Sequence, residues 1–132
     1  MKRVFLDANV LFSGSNPGSA FACLVQLIAS EMEAVTSDFT LEEAQRNIHA
    51  KRPQWIEPFQ KLIQSLEIVP SVTFPLPVDL ATKDVPILCT AIKQNCNFLV
   101  TGDKKDFGHL YGQIIQGVTI LWPDAMAEEL QK

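Results

Sequence analysis

Phe98-Leu99-Val100-Thr101-Gly102-Asp103-Lys104-Lys105-Asp106-Phe107 is the stretch that decides how this chain reads. An unbroken apolar run bounded by polar residues suits a strand covered on both faces, as in a parallel sheet. The run stops in a hydroxyl, a glycine and a carboxylate, and Gly102 permits close backbone approach. The N-terminus repeats the pattern: Val4-Phe5-Leu6 ends in Asp7, which starts an expected loop, Asp7-Ala8-Asn9. Taken alone, either acid also reads as a turn or capping residue.

Three further runs complete a set of five predicted strands: Ala34-Val35-Thr36, Glu67-Ile68-Val69 and Val118-Thr119-Ile120-Leu121. Helical periodicity fills the intervals at residues 19–30, 55–66 and 85–95, and a last helix starts near Pro123-Asp124. The stripe from Trp55 to Leu66 follows i, i+3, i+4, i+7 spacing; it suits a face packed on its own domain or a surface for a partner. Ser13–Gly18 and the proline-rich Pro70–Pro77 read as loops. Strands alternating with helices predict βαβ units and a mostly parallel sheet. Two successive helical patterns between Asp38 and Leu66, broken at Pro53, predict an inserted helical hairpin. In open parallel sheets, chemistry gathers beyond the carboxyl ends of the strands.

A chain of 132 residues suits a single domain, here 1–132. At 47% hydrophobic residues a packed core is expected rather than disorder. The formal net charge of −4 disfavours nucleic-acid binding by bulk charge, although metal ions can offset an acidic surface. Cys23, Cys89 and Cys96 have apolar neighbours and no C-x-x-C spacing, so they read as buried, reduced thiols. The opening MKRVFLD lacks the apolar length of a signal peptide, and no segment has the length of a membrane span. The expectation is a cytoplasmic protein without a membrane partner.

Asp84 precedes a helix with proline in its first turn, the pattern of an N-cap. Its helical phase, shared with Leu88 and Ala91, also turns it toward the core, where a carboxylate needs a partner. The two readings are compatible. Glu42 and Glu43 flank the stripe of Leu41, Ala44 and Ile48 equally. Glu42 shares its face with Gln45, Arg46 and His49; Glu43 shares its face with the smaller Thr40, Asn47 and Ala50, so Glu43 is chosen. Gathered carboxylates repel one another and raise each other's pKa unless cations intervene. Hard oxygen donors point to Mg2+ or Mn2+, and His49 and His109 have no ligand-spaced partner. A pair of such ions ~3.5–4 Å apart can clamp a phosphodiester without a side-chain nucleophile.

These segments resemble the PIN domain and are similar to the ribonuclease toxins of bacterial toxin–antitoxin pairs. The resemblance rests on Val4-Phe5-Leu6-Asp7-Ala8-Asn9-Val10-Leu11, on Ser37 to Glu43, on Lys83-Asp84-Val85-Pro86-Ile87-Leu88 and on Phe98 to Phe107. It implies a three-layer α/β/α sandwich, PIN-like and Rossmann-like, around a mostly parallel five-stranded sheet. It implies a metal-dependent endoribonuclease whose acidic centre is Asp7, Glu43, Asp84 and Asp103. Asp106 matches a further metal-site acid, and Asn9 and Thr101 match supporting polar neighbours. RNA as substrate, a small antitoxin as partner, a homodimer and a type II toxin role all follow from the resemblance. Asp79 is a competitor for Asp84, which is kept for its phase and its downstream helix.

Lys104 and Lys105 are the candidate contacts to substrate phosphates. Lys83, Arg46, Lys51 and Arg52 also lie near the acids, with ordinary surface charge the simpler reading of Lys51 and Arg52. No aromatic run suggests a stacking platform. The alternative functional class is a catalytically weak nucleic-acid-binding or protein-interaction module on the same fold. A phosphotransfer receiver would need an acidic pair near strand one and an Asp after strand three; only Asp7 and Val69-Pro70-Ser71 stand there.

Overall fold

Val4, Phe5 and Leu6 are wholly shielded from solvent, as are Leu99 and Val100, because their strands lie at the centre of the sheet. The computed structural model describes residues 1–132. Its strands are β1 (Arg3–Leu6), β2 (Glu33–Ser37), β3 (Glu67–Val69), β4 (Phe98–Val100), β5 (Ile114–Ile115) and β6 (Val118–Leu121). The sheet order is β3-β2-β1-β4-β6-β5. Five strands are parallel, as expected; the sixth, β5, is a two-residue antiparallel addition at the edge.

Alternation along the central strands feeds two cores. Val4, Leu6 and Val100 point into one, together with residues of α1 (Ala8–Gly14), α2 (Ala20–Glu31), α3 (Asp38–Lys51), α4 (Ile56–Ile63) and α7 (Pro123–Leu130). Phe5 and Leu99 point into the other, with Ile87, Leu88 and Ala91 of α5 (Val85–Lys93) and Phe107 of α6 (Lys104–Phe107). Period-two side chains facing two apolar layers produce the α/β/α sandwich.

The helical hairpin is α3 and α4, separated by Arg52 and a tight turn at Pro53–Trp55. Its apolar stripe packs on the core of the chain itself: Phe59 is buried, and Trp55, Ile56, Leu62, Ile63 and Leu66 lie against the α1 side. Two loop expectations are corrected. Residues 8–14 form α1 because Asp7 caps the segment, its carboxylate accepting from the Ala8 N–H, so Ser13 and Gly14 are helical too. The buried-thiol reading holds for Cys89 and Cys96 and is corrected for Cys23, which lies on the exposed side of α2. Burial pushes the Cys96 thiol up to about 11, which keeps it protonated and unreactive. No helix is long and apolar enough to cross a membrane.

Candidate metal centre

β1 and β4 are neighbours in register, with Leu6 opposite Val100, so the residues that follow them emerge side by side. This is the point where strand order reverses: β2 lies on one side of β1 and β4 on the other. The Asp7 N–H donates to the Val100 carbonyl at 3.1 Å, which continues the ladder one residue past the strand. Asp7 is 2% exposed. Its Oδ1 accepts from the Ala8 N–H at 2.7 Å, and its Oδ2 accepts from the Thr101 hydroxyl at 2.7 Å and from Asn9 Nδ2 at 3.3 Å.

Thr101 is the link between the two strand ends. Its Oγ also accepts from the Asp103 N–H at 3.1 Å. Asn9 adds a second link, its Oδ1 accepting from the Gly102 N–H at 2.7 Å. A side chain at position 102 would begin 3.2 Å from that same Asn9 oxygen, so glycine there keeps the crossing close. Asp103 Oδ1 then accepts from the Asp106 N–H at 3.1 Å and caps α6.

Asp84, Asp103 and Asp106 form the tightest acidic group. One carboxylate oxygen from each lies within 4.8 Å of the others. Asp84 is delivered by a short 3-10 turn (Thr82–Asp84) ahead of α5. Its side chain makes no capping bond, because the 3-10 turn gives the residue helical backbone angles rather than the extended ones of a cap. The capping reading of Asp84 is therefore corrected. Its Oδ2 is buried and has no hydrogen-bond donor. Lys83 Nζ lies 3.3 Å from it, 2.6 Å from Asp106 Oδ2 and 3.9 Å from Asp103 Oδ2. This ammonium thus stands against all three acids, yet its approach leaves the Asp84 oxygen without a directed bond.

Electrostatics follow from this crowding. Burial pushes the Asp7 carboxyl up to about 6, the Thr101 and Ala8 hydrogen bonds oppose the shift, and the charges of Glu43 and Asp84 add to it. Burial also raises Asp84, against the pull of Lys83. Asp106 is held below the usual carboxylate range, chiefly by its hydrogen bond from Lys83. A buried carboxylate oxygen without a donor, beside two more carboxylates, fits a hard divalent cation. The donor set contains no thiolate or imidazole that would favour a softer ion.

Glu43 and Glu42 diverge. Glu42 points outward and pairs with Arg46 at 3.2 Å along the exposed side of α3. Glu43 is half-buried and, with Asn9, Asn47 and Lys51, lines a cavity of about 190 Å³ on the Asp7 side. Asp7 and Glu43 lie outside the Asp84–Asp103–Asp106 group. Of the nearby cations, Arg46 is engaged by Glu42, Arg52 stands over the Trp55 ring and Lys83 by the acids, while Lys104 and Lys105 are exposed on α6 without an ion pair. His49 is exposed, and the exposed His109 ring meets the Asp79 carbonyl.

One feature escaped the sequence reading. Tyr111 and Trp122 meet with ring centroids 5.3 Å apart beside Gly102, and the Tyr111 hydroxyl donates to the Thr101 carbonyl at 2.9 Å. No local aromatic run announced them, because they converge from separate segments.

Known structures share this architecture. VapBC2 from Rickettsia felis, solved bound to a DNA fragment from its promoter, superposes with a TM-score of 0.65 at 19% identity, covering 91% of this chain and 98% of that one. VapBC-1 from nontypeable Haemophilus influenzae gives 0.59 at 14% identity over 92% and 98%. Mycobacterium tuberculosis VapC20, described as a sarcin–ricin loop cleaving toxin, gives 0.55 at 9% identity over 77% and 91%. No protein-family model matches the chain, and no curated protein matches it significantly. The fold is therefore that of the PIN-domain toxins. Within that class, the chain is similar to toxins of the VapC and FitB type.

Proposed function

We propose that residues 1–132 form one domain, a metal-dependent endoribonuclease acting as the toxin of a type II toxin–antitoxin pair in the cytoplasm. The observation that carries this reading is the orphaned, buried Asp84 oxygen within a three-carboxylate group at the carboxyl ends of parallel strands. Asp7, Glu43, Asp84 and Asp103 are the proposed catalytic acids, and Asp106 joins them around Mg2+ or Mn2+. Bound ions would supply activation of a water and stabilisation of charge on the leaving oxygen. The chain's own residues do the positioning. Thr101 and Asn9 fix Asp7 and join it to the Gly102–Asp103 corner. Lys104 and Lys105 stand ready for flanking phosphates. VapC20, described as cleaving the sarcin–ricin loop, has this fold, which favours RNA as the substrate class. A small antitoxin and a second copy of the chain are the proposed partners.

The test is cleavage of mixed RNA substrates, expected with Mn2+ or Mg2+, abolished by EDTA and restored by Mn2+ add-back. Cleavage that survives EDTA overturns the metal dependence. The placement of Lys83 against the acids favours a second reading, a catalytically weak binding module whose cation is supplied by its own side chain. RNA binding without turnover at any divalent ion concentration would select that reading.

A further inference from the structure

The aromatic cavity beside Asp103 has a chemistry that the acids do not explain. Phe21 from α2, Tyr111, and Trp122 at the start of α7 contribute to a recess of about 620 Å³. Gly102 and Lys104, the two residues flanking Asp103, complete the side nearest the acids, and Asp124 also lines the recess. Trp122 remains 42% exposed, although a large ring at the start of a helix would ordinarily gain by folding onto the core. Its partner Tyr111 is not free to swing: the phenol is anchored to the carbonyl of Thr101, the residue that also holds Asp7. Tyr111, and with it one side of the aromatic wall, is therefore tied to the end of β4, from which Asp103 also emerges.

We propose that this recess is a nucleobase subsite for an unpaired residue of a single-stranded nucleic acid, adjoining the cleavage centre. The proposal rests on the nuclease reading for its substrate class. An exposed indole backed by a fixed phenol ring offers a π-face to any base. The Lys104 ammonium is the counter-charge for the phosphate joined to that base. Asp124 supplies a carboxylate acceptor for an amino or ring N–H group of the base edge. An RNA held here by its base would pass its next phosphate over Gly102, an exposed residue of the recess wall with no side chain to screen its backbone. Duplex nucleic acid cannot offer a stacked base to such a recess without unpairing, so single-stranded or looped regions are the class favoured.

The test uses the full chain carrying W55F, which leaves Trp122 as the sole tryptophan. EDTA is present throughout, so that binding is read without cleavage. Trp122 emission is followed while hexamers of adenylate or uridylate RNA are added, and affinity is measured separately from the anisotropy of labelled hexamers. The expected result is quenching of Trp122 by the hexamers, about tenfold weaker binding in W122A, and recovery of most of the affinity in W122F. Circular dichroism of each variant verifies the fold. Unchanged emission at hexamer concentrations where anisotropy reports saturation overturns the subsite, as does equal affinity in W122A. Indifference to every oligonucleotide, the behaviour of a pocket reserved for a protein partner, overturns it as well. Metal-dependent RNA cleavage with a silent Trp122 would leave the nuclease reading standing and the subsite refuted. Quenching without cleavage would do the reverse.

Discussion

Asp7 carries two duties in one carboxylate, a helix cap and a member of the proposed acidic centre, and the conflict between them is measurable. Its folded pKa of about 6 lies above the ordinary value near 4. The folded chain therefore holds a proton at this site that the unfolded chain has already released. The sign follows: the stability from this group is fully present below about pH 4, declines as pH rises through about 6, and is absent above it. Without metal, the unfolding free energy should fall on the order of 3 kcal/mol across that window because of Asp7. Thermal melts in EDTA between pH 4 and pH 7.5 read this slope, and Asp7→Asn should reduce it while retaining the cap, leaving the share of Asp84, whose carboxyl burial also raises. The same variant should lose nearly all RNA cleavage; wild-type turnover in Asp7→Asn would remove Asp7 from the centre. Lys83 offers a complementary test. Lys83→Met deprives Asp84, Asp103 and Asp106 of their nearest counter-charge. The variant should melt a few degrees lower in EDTA and gain more than the parent on adding Mn2+. A smaller gain would show that Lys83 does not compete for the cation position.

At the scale of elements, legibility followed burial. The central strands β1 and β4 were readable because a strand covered on both faces is apolar in an unbroken run, as in Val4-Phe5-Leu6 and Phe98-Leu99-Val100, whereas the edge strand β3 shows only Ile68 and Val69 after an exposed Glu67. Helix α1 was not, because Asp7-Ala8-Asn9 at one end and Ser13-Gly14-Ser15 at the other carry turn chemistry; Val10, Leu11 and the Asp7 cap outweigh it once the core forms. β5 was invisible since two residues cannot establish a period. The acids at strand ends were legible by position alone, but the departure of Asp84 from a capping geometry needs the preceding 3-10 turn. Gly14 closes α1 against both its neighbours: a Cβ there would stand 2.8 Å from Val25 Cγ2 on α2 and 3.3 Å from Leu62 Cδ1 on α4. Gly14→Val should cost about 1–3 kcal/mol by overpacking. A lower urea midpoint at unchanged slope is the expected signature, and an unaltered midpoint would mean that the three helices yield easily.

Across the whole molecule, the two ends of the sheet do different work. At the amino ends of the strands, Arg3 bonds Glu33, Glu67 and the Gln94 carbonyl, each at 2.9 Å, and so clasps β1, β2, β3 and the end of α5. At the carboxyl ends, like charges are gathered and stability is given up. Arg3→Met should therefore lower stability by roughly 1–3 kcal/mol, as expected for losing charge-assisted bonds, and leave the Mn2+ response intact. A changed Mn2+ response, titrated by calorimetry, would mean that the two ends are energetically connected.

The outermost strands have a consequence for assembly. β5 is two residues long, ends in the left-handed pair Gln116 and Gly117, and blunts one flank; β3, with three residues, leaves little backbone on offer at the other. Neither rim gives a neighbouring molecule enough unpaired amide to zip onto. Copies of this protein are thereby steered away from ribbon-like stacking, and contacts between them fall to the helical faces.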